Sequence, residues 1–341
     1  MSCNTVSKFY QLQPTLSINL IAYNQENTIR RALESIFRQE INFQIEVLLA
    51  DDASHDSTFA VMDEYQKKYP GVVRAIRQER NVGPTRNAYT ILSQSQGKYI
   101  ASLEGDDYYC NVHFLQSAVA FLEAHEEYIG IQDKCKIVDE KGRTLLDRQQ
   151  ANGNEFWQYA DQEYGLKEFL EWRMPGHISA LVYRNIFKLY PEEDCSIFYK
   201  LDPFVGDRTI LMQLVVRGRI FCTKCISLCY QLVEKTGAKN WMSQYRKANK
   251  RMDEYRMICS LEKYLREHYH LAVGMDRLKR NKIAAAAAIF SINPSWLNAR
   301  VLWGIIHFQG CSLSNLWLSL SAIVQKKYFC WRGEPERRIR V

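Results

Sequence analysis

The sequence lacks the long apolar segments that mark secreted or membrane-spanning chains. No run reaches about 18 consecutive apolar residues, the length that a spanning helix requires, so none is predicted. The first residues, MSCNTVSKFYQLQPT, have no apolar core of the kind found in signal peptides. Zinc-finger spacings, RNA-binding signatures and dense basic stripes are also missing, so we predict no nucleic-acid partner. We therefore expect a cytoplasmic chain, at most peripheral on the inner face of the cell membrane.

The cysteines form no disulfide framework. Ten are scattered along the chain, and only Cys222, Cys225 and Cys229 lie close together. Their C-x2-C-x3-C spacing is compatible with metal binding, but no second pair or histidine follows at a zinc-like distance. The stretch RIFCTKCISLCY instead predicts a strand with small, buried or half-buried thiols. Free thiols in this number fit a reducing cytosol.

The chain does have an ordinary globular composition with a small positive excess. Apolar residues make up 47% of the 341 residues and charged residues 24%, which suits one large domain or a domain with an appendage. The formal net charge of +7 favours an anionic partner, such as a nucleotide, a phosphorylated lipid or an anionic membrane surface.

Strand and helix patterns alternate over the first 140 residues. IEVLLA at 45–50 is a short apolar run that predicts a strand covered on both faces, whereas ENTIRRALESIFRQ at 26–39 repeats apolar residues at helical spacing. The other predicted elements are strands at 16–23, 72–76 and 98–104 and helices at 57–69, 83–95 and 112–125. This order predicts an α/β fold with a Rossmann-like, mostly parallel sheet flanked by helices.

The alternation ends near residue 140. The elements predicted beyond it are helices at 163–173 and 206–218 and strands at 177–183 and 219–230. From about residue 240 the pattern is helical throughout. We therefore predict a catalytic domain over 1–235, with halves at about 15–140 and 141–235, and a helical C-terminal extension over 236–341.

Polar clusters follow three of the predicted strands: AYNQE at 22–26, ADDAS at 50–54 and EGDDYY at 104–109. Because parallel strands place their carboxyl ends at one edge, the clusters should meet in the crevice where α/β sheets bind ligands. Capping a helix requires one carboxylate, whereas Glu104, Asp106 and Asp107 would repel one another. A divalent cation removes that repulsion, since Mg²⁺ or Mn²⁺ takes carboxylates together with substrate phosphates.

Asp51 and Asp52 have a structural alternative, which is to cap the helix that begins near Ser57. Asp56 or Ser54 can cap that helix without two further carboxylates. We therefore favour a functional role for Asp51.

The segments AYN, DDAS, NVGPTRN and GKYIASLEGDDYY resemble glycosyltransferase family 2 of the GT-A fold in their order and spacing. The resemblance covers residues 15–140, extends more loosely to about 235, and is specific only as a combination. It implies that residues of the first two clusters hold the base and ribose of a nucleotide-sugar donor: Tyr23, Asn24, Glu26 and Asp51.

The family's D-x-D motif, which holds a metal ion on the donor diphosphate, aligns with Glu104-Gly105-Asp106. The resemblance thus implies Mn²⁺ or Mg²⁺ on Asp106, with Asp107 beside it, and Glu104 and Gly105 at the donor. Glutamate in the first position departs from the commonest pattern but keeps the carboxylate. Gly105 would let the backbone approach the ligand.

Asn81 and Gly83 belong to the loop before the helix predicted at 83–95, and Arg86 lies in its first turn. The resemblance implies that these three residues face the nucleotide. The alternative for Arg86 is that it only covers the edge of the sheet.

The family also needs a catalytic base, usually an acidic residue at the start of a later helix. Asp207 opens GDRTILMQLVVRG, where it would deprotonate the acceptor hydroxyl. A capping role for Asp207 and a base role for nearby Asp202 stay open. His177 and Ser179 are expected to line the acceptor pocket.

One departure from the family lies in YQLVEKTGAKNW at 230–241. Gln231 and Val233 replace the Arg and His of a common Tyr-Arg-x-His element, which leaves a phosphate contact without its usual residues. Lys235 or Lys239 is the predicted substitute.

The C-terminal region contains two short apolar segments with tryptophan, ARVLWGIIHFQ and LSNLWLSLSAIV. The final sixteen residues hold six basic and two acidic side chains. This combination predicts attachment to a membrane surface. The alternative is that these helices pack on the catalytic domain or on a second subunit, because amphipathicity does not distinguish a membrane from a protein core.

We therefore predict a metal-dependent, inverting glycosyltransferase that moves a sugar from a UDP-sugar to a saccharide or lipid-linked saccharide in surface polysaccharide biosynthesis. A sugar-phosphate nucleotidyltransferase is the second enzyme class, although AYNQEN lacks the glycine-rich loop expected after its first strand. A catalytically inactive GT-A scaffold is the non-enzymatic alternative. The presence of the four carboxylates Asp51, Asp106, Asp107 and Asp207 argues against it.

Overall fold

A computed structural model describes residues 13–146, 159–193, 196–200, 206–232 and 247–307. These residues fall into two units: residues up to 169 together with 174–232, and residues 170–173 together with those from 247 onward. Four residues named in the predictions lie outside the described ranges, namely Asp202, Val233, Lys235 and Lys239. The boundary predicted near 235 and the basic C-terminal segment also lie outside them.

A sheet of nine strands organises the described part of the first unit. In chain order the strands are β1 (Leu16–Ala22), β2 (Ile45–Asp51), β3 (Val73–Arg77), β4 (Tyr99–Glu104), β5 (Tyr108–Tyr109), β6 (Tyr128–Val138), β7 (Gln162–Tyr164), β8 (Leu181–Arg184) and β9 (Arg219–Gln231). Their spatial order is β3-β2-β1-β4-β8-β6-β9-β5, and β7 also pairs with β9.

The helices of this unit are α1 (Ile29–Phe37), α2 (Thr58–Lys68), α3 (Pro84–Leu92), α4 (Phe114–Ala124), α5 (Leu166–Leu170), α6 (Ile186–Leu189), α7 (Ile197–Lys200) and α8 (Gly206–Val215). A 3-10 turn at Ile178–Ala180 precedes β8. The described part of the second unit contains α9 (Lys247–Tyr269), α10 (Asp276–Ile292) and α11 (Trp296–His307). The predicted α/β fold with a helical C-terminal region is therefore confirmed.

Strands β1 to β4 form the parallel half of the sheet, with β1 between β2 and β4. Ile18 and Leu20 pack on one face with Leu33 of α1, whereas Ile21 packs on the other face with Ile91 of α3. Since side chains of a strand alternate between faces, the apolar run of β1 is buried by helices on both sides. The parallel pairing places the carboxyl ends of β1, β2 and β4 at one edge.

The other half of the sheet mixes directions. β8 is antiparallel to both β4 and β6, β6 is parallel to β9, and β5 and β7 are antiparallel to β9. The predicted helix at 163–173 is wrong at its start, because β7 occupies 162–164 and buries Tyr164, which leaves α5 as a short helix. The predicted strand at 177–183 begins only at Leu181, because the His177 side chain accepts from Ser179 N–H and caps the 3-10 turn.

The three helices of the second unit pack around a small apolar core. The core residues are Tyr255, Ile283, Ala286, Val301 and Ile305. Two ion pairs at mostly buried side chains, Lys279–Glu262 and Lys282–Glu254, join α10 to α9. Within the described ranges, no helix combines the length and the apolarity that crossing a bilayer requires.

Candidate active site

The three polar clusters predicted from the sequence meet at the carboxyl edge of the parallel strands. Ala22 lies opposite Asp51, and Ile21 lies opposite Glu104. Backbone hydrogen bonds continue past the strands, since Asp52 N–H donates to Ala22 O at 3.0 Å and Gly105 N–H donates to Ile21 O at 3.0 Å. The loops that follow β1, β2 and β4 are therefore held side by side.

The first cluster is fastened to the loop before α2. Asn24 N–H donates to Ser54 Oγ at 2.9 Å, and the Glu26 carboxylate accepts from Ser57 N–H at 3.1 Å. Asn24 has a φ of 52°, a left-handed conformation that asparagine adopts more readily than most residues. Asn24 and Glu26, which are predicted to bind the donor, therefore connect two loops in this structure. Tyr23, from the same cluster, is 40% exposed.

Asp51 is fully buried at the end of β2. Its carboxylate accepts from Ser54 N–H at 3.1 Å and from the Ser54 hydroxyl, and it lies 3.4 Å from Arg77 Nε. These contacts order the turn after β2. The contact between Asp51 and a ribose therefore stays a prediction.

The neighbouring Asp52 holds the loop that was predicted to face the nucleotide. Its carboxylate accepts from Val82 N–H at 2.7 Å and from Gly83 N–H at 2.9 Å. Burial raises the pKa of Asp52, although both hydrogen bonds act in the opposite direction. Gly83 has a φ of 88° at the start of α3, a conformation that disfavours residues with a Cβ, and Asn81 is exposed. Asp52 therefore positions this loop.

Arg86, in the first turn of α3, is exposed. Its guanidinium carbon lies 5.4 Å from the centre of the Tyr199 ring of α7, within range of a cation–π contact. The structure thus gives Arg86 an aromatic partner, and its predicted nucleotide contact stays a prediction.

Three carboxylates crowd the end of β4. Burial is the main reason that the pKa values of Glu104, Asp106 and Asp107 are all raised, and mutual repulsion adds to the rise for Glu104 and Asp107. The charge of Asp207 also raises the pKa of Glu104, which places the first turn of α8 beside this cluster. The predicted base therefore lies within electrostatic range of Glu104.

Asp107 and His177 meet at the centre of the cluster. Asp107 Oδ1 accepts from Gln231 N–H at 3.1 Å, whereas Oδ2 is buried without a hydrogen-bond partner in the described part of the chain. That oxygen lies 3.6 Å from His177 Nδ1. Burial lowers the pKa of His177 to about 4, so the ring is neutral, and Nδ1 accepts from Ser179 N–H at 3.3 Å. A ring nitrogen that already accepts a hydrogen bond thus lies close to a carboxylate oxygen that has none in the described residues.

Glu104, Asp107 and His177 each offer one ligand atom, and these atoms all lie within 4.8 Å of one another. A buried polar atom without a partner is unusual in a folded protein, and a bound cation is one way to satisfy it. Two carboxylates with a neutral imidazole make a donor set that fits a divalent ion. This group shares Asp107 with the predicted ligand pair but does not include Asp106.

Two residues that the sequence analysis did not select act on Asp106. The Gln25 side chain and the positive charge of Arg31 both lower the pKa of Asp106 against the effect of burial. Arg31 also donates to Gln231 Oε1, and its guanidinium carbon lies 4.3 Å from the centre of the Tyr108 ring. The Arg31 guanidinium therefore contacts Gln231, the residue that replaces the arginine of the family's Tyr-Arg-x-His element.

No sequence signal separates Arg31 from Arg30, its neighbour in α1. Arg30 faces away from the cluster and pairs with Glu64 at 2.7 Å on an exposed surface. The choice between them depends on how α1 packs, which helical spacing alone did not reveal.

Gly105 and Ser179 support the end of β4. A Cβ on Gly105 would collide with the Gln25 side chain and would come within 3.0 Å of the Ala22 Cβ and 3.1 Å of Ile29 Cδ1. Ser179 is fully buried, and its hydroxyl accepts from Glu104 N–H at 3.3 Å. Both residues thus have packing roles, in addition to the donor and acceptor roles predicted for them.

Comparisons with known proteins agree with this architecture. The family model described as Glycosyl transferase family 2 matches residues 17–188. An uncharacterized protein of Mycobacterium tuberculosis is 32% identical over 192 residues, which are 56% of this chain and 49% of the relative. The GalNAc(5)-diNAcBac-PP-undecaprenol beta-1,3-glucosyltransferase of Campylobacter jejuni is 26% identical over 177 residues, which are 51% of this chain and 53% of the relative. The chain spans about half the length of these curated relatives.

Among solved structures, S. aureus TarS 1-349 in complex with UDP-GlcNAc superposes with a TM-score of 0.64. The two proteins are 17% identical, and the match covers 95% of this chain and 93% of the other. At that identity the likeness shows the fold alone, and it agrees with the GT-A type expected from the sequence.

Proposed function

Because the chain belongs to glycosyltransferase family 2, we propose that it transfers a sugar from a UDP-sugar to a saccharide or lipid-linked saccharide, with inversion, in the synthesis of a surface polysaccharide. The TarS structures with UDP-GlcNAc and with UDP support a uridine nucleotide donor. The Campylobacter relative, named for a substrate linked to undecaprenol diphosphate, supports a lipid-linked acceptor.

The observation that carries this proposal is the group formed by half-buried Glu104 with buried Asp107 and His177, near Asp207 at the carboxyl edge of the sheet. The unsatisfied Asp107 Oδ2 fits a bound cation, and an imidazole ligand favours Mn²⁺ over Mg²⁺. A divalent ion held there would stabilise the charge that develops on a leaving diphosphate. Asp106 would lie at the edge of this site, facing the donor.

Asp207 would act as the catalytic base from the first turn of α8. It would take the proton of the acceptor hydroxyl while that oxygen forms a bond to the anomeric carbon. The bond from the same carbon to the phosphate oxygen would break, so a single displacement inverts the configuration. Because the charge of Asp207 repels the half-buried Glu104 carboxylate, a proton on Asp207 after the reaction would relieve like-charge repulsion.

Arg31 would contact the donor diphosphate. Its guanidinium is held between the Tyr108 ring and Gln231, and its charge already acts on Asp106. Guanidinium groups bind phosphate oxygens well because their donors are planar and fixed. Arg31 therefore replaces the predicted contact from Lys235 or Lys239 in this proposal.

We also propose that the second unit places the protein on an anionic membrane surface, from the cytoplasmic side. Trp296 and Trp303, on one face of α11, are 80% and 66% exposed, and Arg300 between them is also exposed. Their spacing of seven residues puts both rings on one side of the helix, which suits the interface between lipid headgroups and acyl chains.

Calorimetric titration of UDP into the protein, with and without Mn²⁺, tests the proposed activity. We expect binding that requires Mn²⁺, loss of this binding in Asp107→Asn, and normal binding in Asp63→Asn, which changes a carboxylate in α2. A screen of UDP-sugars for slow hydrolysis would then identify the donor.

Each alternative outcome would identify a different error. UDP binding that does not depend on Mn²⁺ would contradict the proposed metal site but would still support a UDP-sugar donor. If the protein bound no nucleotide sugar, the inactive GT-A scaffold would be the favoured alternative. Release of diphosphate from a nucleoside triphosphate and a sugar phosphate would show a nucleotidyltransferase.

A further inference from the structure

Gln132 lies at the centre of β6, between β8 and β9, and its side chain is buried. The amide nitrogen donates two hydrogen bonds, to Asp133 O at 2.8 Å and to His177 O at 3.1 Å. The amide oxygen is buried without a hydrogen-bond partner in the described part of the chain. Because turning the amide over would set this oxygen against two carbonyl oxygens, the two donated bonds fix its orientation. One of them ties β6 to a segment 45 residues away in sequence.

The same side chain supports the backbone just before His177. A Cβ on Gly176 would lie 2.7 Å from Gln132 Nε2, 2.8 Å from Cδ and 3.0 Å from Cγ, so a side chain at 176 would have to push the amide away. His177 O also accepts from Ala180 N–H at 2.9 Å, which closes the 3-10 turn. Gln132 therefore holds the residue from which that turn starts.

The start of the turn sets the place of the His177 ring, whose Nδ1 lies 3.6 Å from Asp107 Oδ2. On its other side the turn is tied to β4, because the Ser179 hydroxyl accepts from Glu104 N–H at 3.3 Å. We propose that Gln132 is a positioning residue, which holds the His177 ring beside the two carboxylates so that the three groups bind one divalent cation. The inference rests on the metal site of the proposed function.

Ligand groups bind a cation tightly when the surrounding residues fix their positions beforehand. Partners that orient metal ligands in this way typically contribute about ten- to a hundredfold in metal affinity. Gln132→Met keeps the length of the side chain but removes both donated hydrogen bonds, so the affinity for Mn²⁺ should fall roughly tenfold. Because the effect passes through His177, the loss should be no greater than in His177→Gln.

Electron paramagnetic resonance of free Mn²⁺, titrated against the full chain in the presence of UDP, measures this affinity without requiring turnover. The wild-type chain, Gln132→Met, His177→Gln and the double variant are compared. We expect the double variant to bind Mn²⁺ as His177→Gln does, because the ring through which Gln132 acts is then absent. Losses that multiply in the double variant would show that Gln132 acts independently of His177, and would overturn the proposal.

Asn185→Leu is the matched control. Asn185 is also buried, and its amide nitrogen also donates to two backbone carbonyls, Ser95 O at 3.0 Å and Gly97 O at 2.8 Å. It follows β8, whereas His177 precedes that strand. Urea unfolding should show that Gln132→Met and Asn185→Leu are both less stable than the wild-type chain, but only Gln132→Met should lose Mn²⁺ affinity. An equal loss in the two variants, or no loss in Gln132→Met, contradicts the positioning role.

Gly176→Ala decides the question if Gln132→Met does not fold. The added Cβ should push the amide away from His177 O, so the affinity for Mn²⁺ should fall as it does in Gln132→Met. Unchanged affinity in Gly176→Ala would contradict the proposal. If the wild-type chain bound no Mn²⁺, or if His177→Gln bound it as tightly as the wild-type chain, the metal site itself would be wrong and the inference would fail with it.

Discussion

His177 Nδ1 and Asp107 Oδ2 face each other at 3.6 Å, although the imidazole is neutral and the oxygen has no hydrogen-bond partner in the described residues. The two atoms come from segments distant in sequence, the 3-10 turn before β8 and the turn after β4. A cation or a proton bound between the two atoms would make this contact favourable.

His177→Gln should weaken the Mn²⁺ dependence of UDP binding. The amide is smaller and a poorer metal ligand than imidazole, so we expect metal affinity to fall roughly tenfold or more. Titration calorimetry with Mn²⁺ and UDP measures this change. His113→Gln, which changes an exposed histidine, is the control. Equal Mn²⁺ affinity in both variants would show that His177 is no ligand.

Asp207→Asn should abolish sugar transfer and leave UDP binding unchanged. The amide cannot accept the hydroxyl proton, so we expect turnover to fall on the order of a hundredfold or more. Product formation and UDP titration are measured on the same protein. Asp276→Asn is a matched control, because Asp276 is also an acid in the first turn of a helix. A fully active Asp207→Asn enzyme would exclude Asp207 as the base.

Arg31→Ala should weaken binding of UDP but not of uridine, because the proposed contact is to phosphate. Losing one charged hydrogen bond corresponds to roughly ten- to a hundredfold in affinity. Arg30→Ala, at the neighbouring position in α1, should bind UDP normally because Arg30 pairs with the exposed Glu64. If Arg31→Ala weakened both ligands equally, the residue would have a structural role only.

Lys134→Met should stabilise the fold near neutral pH. Lys134 is fully buried in β6, its Nζ has no hydrogen-bond partner among the described residues, and burial lowers its pKa below the usual 10.5. Between the lowered pKa and 10.5 the unfolded chain binds more protons, so stability rises with pH across that window. Methionine has no amine to bury, so we expect the free energy of unfolding to rise by about 1–4 kcal/mol.

Urea unfolding followed by circular dichroism, near pH 7 and again near pH 10, measures this effect. The advantage of Lys134→Met should shrink at the higher pH, where the wild-type amine is neutral in the folded state. Lys141→Met, at an exposed position, should change the free energy of unfolding little at either pH. An advantage that grew with pH would contradict the argument.

Replacing Trp296 and Trp303 by alanine should reduce binding to vesicles that contain an anionic phospholipid. Each ring is exposed, and losing its insertion should lower partitioning at least about tenfold for the pair. Co-sedimentation with anionic and with zwitterionic vesicles measures the change. Leu189→Ala, at an exposed apolar residue of α6, is the control. Equal binding by the double variant would favour packing on a protein partner.

The sequence predicted β1 to β4 and α1 to α4 well, because apolar runs and helical spacing agree with burial there. It did not predict β6, since YIGIQDKCKIV carries Gln132, Asp133 and Lys134 at its centre. Asp133 is buried and accepts from the hydroxyls of Thr223 and Ser227 on β9. Asp133 is tolerated inside this strand because a partner strand satisfies its carboxylate, and that partner is remote in sequence.

The sequence by itself determined that acidic residues collect at one edge, because alternating strands and helices align the carboxyl ends of parallel strands. Only the tertiary structure decided which side chains meet there. Two antiparallel pairings set β8 between β4 and β6, and the turn before β8 then carries His177 to Asp107. The contact between His177 and Asp107 depends on packing between distant segments, so a local sequence pattern does not predict it.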